Sequence, residues 1–201
     1  MYTGIINHIG KLLAIETIAK GLRLTIATEF TNFNMGESIA LDGICVTVVA
    51  FREGEFDCEL SPETLKLTTA NHFKVGTEIN LERSLTLSDR LGGHFVMGHV
   101  DTVLQVKTIE THAEFTRMIF KGLTKDNKPY FAKKGSACIN GVSLTINEIY
   151  EDGFEVMLIP HTLERTNLKN LKENDFVNVE YDTIARIVVH QLNLTQDEAP
   201  L

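Results

Sequence analysis

Two residues of this chain stand where a matching stretch of the same chain carries something chemically different. Cys45, in Asp42-Gly43-Ile-Cys45-Val-Thr47, corresponds to Ser143 in Asn140-Gly141-Val-Ser143-Leu-Thr145. His99, after Gly98, corresponds to Ile5, after Gly4. As a thiolate, a cysteine can attack an electrophilic carbon, and an imidazole titrating near neutrality can take up or release a proton. His94, in Gly92-Gly93-His94, offers a second polar group near His99. Ser38/Ser136 and Thr47/Thr145 are the same in both stretches. Repeated hydroxyls suit a polyhydroxylated or heteroaromatic ligand, although serine and threonine also serve turns and strands. Two similar pockets imply two similar ligands, and asymmetric chemistry belongs where the pockets differ.

The other candidates read as structure. Cys58 corresponds to Val156 and Cys138 to Ala40, so both are expected in the core. His8, His72, His112, His161 and His190 lack metal-ligand spacing and are expected at the surface, with His161 also lying in a matched turn. Three widely spaced cysteines fit neither a disulfide framework nor a zinc knuckle, and free thiols point to a reducing compartment. The chain has no GxSxG elbow, P-loop, GxGxxG or HExxH. A net charge of −8 without a basic block argues against nucleic acid as partner. Hydrophobic residues make up 43%, and no apolar run approaches the ~20 residues of a membrane helix, so a globular protein off the membrane is expected. The N-terminus lacks signal-peptide character, which makes the cytoplasm the expected location.

The elements that must position these residues are written twice. A shift of 98 lays Ser136–Thr145 on Ser38–Thr47, Phe154 on Phe56, Pro160-His-Thr162-Leu163 on Pro62-Glu-Thr64-Leu65, and Asn178-Val-Glu180 on Asn80-Leu-Glu82, with no gap from Ser38 to Glu82. Each copy holds short β-branched or aromatic runs bounded by Gly, Asp, Asn or Pro: Leu22–Ala27, Ser38–Leu41, Cys45–Phe51 and Glu55–Leu60, then Ala137–Ile139, Ser143–Tyr150 and Phe154–Ile159. Asp42-Gly43 and Asn140-Gly141 are tight-turn signals between strands. Many short strands and no long helix between them predict an all-β chain of two small closed barrels. The units are placed at 1–86 and 87–182. Pro62 and Pro160 are expected to end a strand ahead of a short turn. Outside the repeat, Ile184, Ile187, Val188, Gln191 and Leu192 follow helical spacing, with Asp182 or Thr183 as cap. This C-terminal helix, in a segment over 183–201, either packs on its own barrel or joins identical subunits, and the second is favoured. The acidic tail Asp197–Leu201 is expected to lack order.

Four motifs carry a family resemblance: Met1-Tyr-Thr-Gly-Ile-Ile, Gly36-Glu-Ser-Ile-Ala-Leu-Asp-Gly-Ile-Cys-Val-Thr, Ser88-Asp-Arg-Leu-Gly-Gly-His-Phe-Val-Met-Gly-His and Gly135-Ser-Ala-Cys-Ile-Asn-Gly-Val-Ser-Leu-Thr. Together, and in this order, they resemble the riboflavin synthase family of the alpha-subunit type, over Met1 to about Asp182. The resemblance implies two tandem six-stranded Greek-key barrels and a C-terminal helix that gathers a homotrimer. It implies dismutation of two molecules of 6,7-dimethyl-8-ribityllumazine to riboflavin and 5-amino-6-ribitylaminouracil, by transfer of a four-carbon unit and without metal or cofactor. The active site is expected between the first barrel of one subunit and the second barrel of a neighbour. Ser38, Cys45 and His99 match the family's reactive positions. Thr47 and Thr64 match its ligand shell in the first barrel, and Lys134, Ser143, Thr145, Thr162 and Asp182 that in the second. Met1–Gly4 resembles the segment beside the site. Gly-Ile-Cys45 stands where some members carry two adjacent cysteines, so one thiol is present here.

Two other readings are weighed beside the enzyme. Relatives in luminous bacteria hold a lumazine or flavin as a light-emitting antenna and perform no chemistry, and such a protein could dispense with Ser38, Cys45 and His99. A structural or transport barrel pair would leave the Cys45/Ser143 and His99/Ile5 differences unexplained.

Overall fold

The computed structural model describes residues 1–197, with side chains through residue 195. The first six strands are β1 (His8–Ile18), β2 (Gly21–Ala27), β3 (Ser38–Leu41), β4 (Ile44–Arg52), β5 (Glu55–Leu60) and β6 (Glu78–Arg83). They close antiparallel in the order β1-β2-β5-β4-β3-β6. The second six are β7 (Thr102–His112), β8 (Phe115–Lys121), β9 (Ser136–Ile139), β10 (Val142–Ile149), β11 (Gly153–Leu158) and β12 (Phe176–Tyr181), and they close in the same cyclic order. The two barrels expected from the repeat are therefore present. Pairing of β2 with β5 instead of β3 is the Greek-key step.

Alternation decides which face of each strand is buried. On β4, Ile44, Val46 and Val48 point into the barrel, while Cys45 and Thr47 point out. Inside, Phe56 and Phe154 occupy the same place in the two cores. Cys58 and Cys138 are buried, and burial pushes the Cys58 thiol up to about 12 and that of Cys138 well above its ordinary value. The copies share their irregularities too. A bulge interrupts β1 between Leu12 and Ala14 and β7 between Val106 and Thr108, bending each long strand around its barrel. Where a short turn was expected, Pro62 and Pro160 open one-and-a-half-turn helices, α1 (Pro62–Leu67) and α2 (Pro160–Arg165). Proline at a helix start gives up an amide that has no intrahelical partner there.

The barrels meet through their tight turns. Gly43 and Gly141 lie at φ +79° and +81°, and a Cβ on either would sit 2.8 Å from the other's backbone nitrogen. Around this contact the hydrogen bonds come in pairs. The Asn80 amide donates to Asp42 Oδ1 at 2.8 Å, and the Asn178 amide to Asn140 Oδ1 at 2.8 Å. Asn80 Nδ2 donates across to the Asn140 carbonyl at 2.9 Å, and Asn178 Nδ2 to the Asp42 carbonyl at 3.0 Å. These side chains are buried, so their polar groups must pair with one another. One departure from symmetry is Asp42 itself, a carboxylate where the other copy has an amide. Burial raises it to about 7, partly opposed by its Asn80 and Asn167 donors.

The C-terminal helix α3 (Thr183–Asp197) starts where the sequence placed it, and Asp182 caps it by accepting from the Ile184 amide at 2.8 Å. Arg186 reaches back to Asp101 with bonds of 2.5 and 2.7 Å. Ile184, Ile187, Val188 and Leu192 stay half-exposed or more, Ile187 at 64%. Among the described residues no helix is long and apolar enough to cross a membrane. Of the tail expected to lack order, Asp197 instead closes α3, and residues 198–201 lie outside the described residues.

Candidate active site

Two extended arms, residues 1–5 and 94–99, run beside the turn contact and are joined by the Tyr2–Val96 bridge. Each arm is held by a buried glutamate of its own repeat. Glu82 accepts from the Thr3 amide and hydroxyl, both at 2.7 Å, and from the Gly4 amide at 2.9 Å. Glu180 accepts from the amides of Met97, Gly98 and His99 at 2.6, 2.8 and 2.9 Å. Burial raises the pKa of both carboxyls, and the donated amides oppose it. Each arm then docks on the other barrel. The Ser143 amide donates to the Gly4 carbonyl at 2.8 Å, and the Cys45 amide to the Gly98 carbonyl at 2.9 Å. Only glycine fits at these crossings: a Cβ on Gly4 would lie 2.6 Å from Ser143 Cβ, and one on Gly98 2.5 Å from Cys45 Cβ.

The crossing builds two related cavities. One, of about 210 Å³, is lined by Cys45, Glu63, Thr64, Leu67 and His99. The other, of about 200 Å³, is lined by Gly4, Ser143, His161, Thr162 and Arg165. Of the residues singled out in the sequence, Cys45, Thr64 and His99 thus share one cavity, and Gly4, Ser143 and Thr162 the other. Ser38 is half-buried and pairs with Thr47 on the outer face of the β3–β4 hairpin, next to Cys45. Ser136 and Thr145 form the same pair in barrel 2. Asp182 and Ser136 line a separate cleft of about 360 Å³ against α3. Lys134 is exposed at a turn with φ +66°, where the first copy has Gly36, and lines neither of the two cavities.

Two placements differ from the sequence reading. His94 does not join Cys45 and His99; its Nδ1 lies 2.7 Å from Ser143 Oγ, in the second cavity's wall. Burial lowers its pKa, against the charge of Asp182, and its Nε2 is buried without a partner among the described residues. His8 is half-buried rather than superficial, bonded to Thr28 and edge-on to Phe30. The sequence reading also passed over Tyr2. Its side chain is fully buried, and its hydroxyl donates to Cys45 Sγ at 3.1 Å. Burial, then the sulfur, push its pKa strongly up, so it remains a phenol donor. Glu82 and Glu180 were legible as a repeated pair, since an acid at the end of a buried strand in both copies calls for a partner.

Chemically, the first cavity offers a thiol, an imidazole and hydroxyls around a half-open space, and the second offers hydroxyls, an imidazole and a guanidinium. Each is sized for part of one heteroaromatic ligand.

Comparison with known proteins agrees with this geometry. The model of the lumazine binding domain matches residues 3–84 and again 97–182. A riboflavin synthase of Photobacterium leiognathi is 36% identical over 99% of this chain and 92% of that protein. One from Brucella abortus (strain 2308) is 39% identical over 92% of this chain and 95% of that protein. Among solved structures, LumP complexed with riboflavin superposes with a TM-score of 0.80 at 26% identity, covering 90% of this chain and 99% of that one.

Proposed function

The chain belongs to the riboflavin synthase family, with two lumazine-binding domains in tandem, and from that premise we propose that it converts two molecules of 6,7-dimethyl-8-ribityllumazine into riboflavin and 5-amino-6-ribitylaminouracil. The observation that carries the reading is the pair of equivalent cavities, one per barrel, of which only the first holds a thiol. A reaction between two copies of one molecule needs two similar sites. Its products differ, so the sites must also differ.

The C7 methyl of the lumazine is acidic because its anion spreads into the ring. His99, or Cys45 as thiolate, takes that proton. A nucleophile (water, Ser38 or Cys45) adds to the other ring and activates it for loss of its four-carbon unit. Gly4, Thr47, Thr64, Lys134, Ser143, Thr145, Thr162 and Asp182 hold the two ligands. Proximity of the two bound rings supplies much of the remaining acceleration. The rings meet between the first barrel of one subunit and the second barrel of another, in a homotrimer gathered by α3. The half-exposed Ile184, Ile187, Val188 and Leu192 on that helix support this reading. The units are bounded at 1–86, 87–182 and 183–201. Three unpaired thiols favour the cytoplasm.

Mixing the protein with 6,7-dimethyl-8-ribityllumazine alone, and following absorbance and fluorescence, tests the proposal. Growth of the riboflavin spectrum is expected. Tight binding with an unchanged lumazine spectrum would move the protein to the antenna class.

A further inference from the structure

The two cavities are equal in size but opposite in charge. In barrel 1 the wall supplied by α1 carries Glu63 and Leu67; in barrel 2 the wall supplied by α2 carries His161 and Arg165 at the corresponding positions. Residues four apart lie on one helix face, so each pair borders its cavity together, next to Thr64 or Thr162. Arg165 makes no ion pair among the described residues. A guanidinium without a partner, bordering a ligand cavity beside an imidazole, suits an anion. Glu63, at the place equivalent to His161, repels one.

We infer that the barrel 2 cavity selects an anionic lumazine or flavin, while the barrel 1 cavity takes only the neutral ligand. This rests on the ligand class proposed above. Two sources of negative charge share the chemistry: a phosphate ester at the end of the ribityl chain, and a ring deprotonated at its C7 methyl. Arg165 and His161 determine specificity here by touching the ligand, and take no proton from it.

Binding of riboflavin and of riboflavin 5′-phosphate, each followed by quenching of flavin fluorescence by the full chain, tests the first source. The phosphate ester is expected to bind about fivefold more tightly at low salt, the upper range for an exposed ion pair. That ratio falls towards one in high salt, by screening. In the double variant Arg165→Leu with His161→Glu, which copies barrel 1, the ratio is about one. The ratio is taken within each protein, so a general loss of affinity cancels, and the salt series on the parent stands if the variant fails to fold. The second source is read from the absorbance of bound 6,7-dimethyl-8-ribityllumazine at one fixed pH, where the anionic fraction is expected to fall in the double variant. A ratio above one that the variant abolishes assigns the phosphate ester. A ratio of one with a falling anionic fraction assigns the deprotonated ring. A ratio of one with an unchanged anionic fraction, or a preference that survives the double replacement, overturns the inference. If lumazine turnover is intact in that case, the proposed reaction stands; if riboflavin never forms, it is the reaction that fails.

Discussion

The Tyr2 hydroxyl donates to the Cys45 sulfur at 3.1 Å, tying the second residue of the chain to the thiol of the first cavity. Replacing Cys45 by Ala takes the sulfur from a buried donor, and a cost of about 1 kcal/mol in thermal or chemical unfolding is expected. Cys45→Ser keeps an acceptor and is expected to stay nearer the parent. Both variants should lose lumazine turnover if the thiol is reactive, as should His99→Ala. Full activity in Cys45→Ser and His99→Ala together would remove both residues from the mechanism.

Glu180 holds the arm that brings His99 to Cys45. Glu180→Gln turns one of two accepting oxygens into a donor facing amide hydrogens. A loss of about 1–3 kcal/mol of stability is expected. Turnover should fall about tenfold or more as His99 shifts, since catalysis depends on placement within an ångström. Steady-state kinetics on variant that remains folded by circular dichroism checks this; unchanged kcat would mean the arm's position does not govern the chemistry.

Asp42 is held protonated by burial up to about pH 7, well above the ordinary 3.8. Its folded pKa is raised, so its contribution is fully present at low pH and is lost as pH rises through about 7. Asp42→Asn copies Asn140 and removes the titration. The variant should match the parent near pH 4 and exceed it by about 2 kcal/mol or more at pH 8. Denaturant unfolding at the two pH values measures the difference, and equal gains at both would assign the effect to packing alone.

Gly141→Ala and Gly54→Ala impose the same left-handed backbone on alanine, at φ +81° and +76°. That cost, about 1–2 kcal/mol, is common to both. Gly54 faces open space, whereas a Cβ on Gly141 meets the Gly43 nitrogen at 2.8 Å. Gly141→Ala should therefore destabilise by about a further 1–3 kcal/mol. Similar melting temperatures for the two variants would contradict tight contact between the barrels.

Ile187, just over one turn into α3 and 64% exposed, sits on the face proposed to join subunits. Ile187→Asp is expected to yield monomers in analytical ultracentrifugation and to abolish turnover while each barrel stays folded. A variant that sediments like the parent would show that α3 does not carry the proposed association.

How much of this could be read beforehand follows from the range of each signal. The duplication, the strand-like runs and the tight turns between them were legible, because strand and turn chemistry are set within a few residues. Proline at positions 62 and 160 marked helix starts as well as strand ends, and only the strand end was read. The cysteine and histidine differences between copies marked Cys45 and His99 as candidates by comparing like positions, but their meeting in one cavity comes from the crossing of the second arm onto barrel 1.

The amino-acid sequence alone determined two barrels, a capped C-terminal helix and a set of repeated hydroxyls with one thiol. Tertiary structure alone decided which barrel each arm serves. Gly4 belongs to the first repeat by sequence but accepts from Ser143 of the second; Gly98 belongs to the second but accepts from Cys45 of the first. His94, by contrast, stays with Ser143 of its own repeat. The two crossing pairs lie far apart along the chain and are joined by a rotation between two packed bodies. No spacing along the chain encodes that rotation; the meeting of Gly43 with Gly141, and the buried amides around them, sets it.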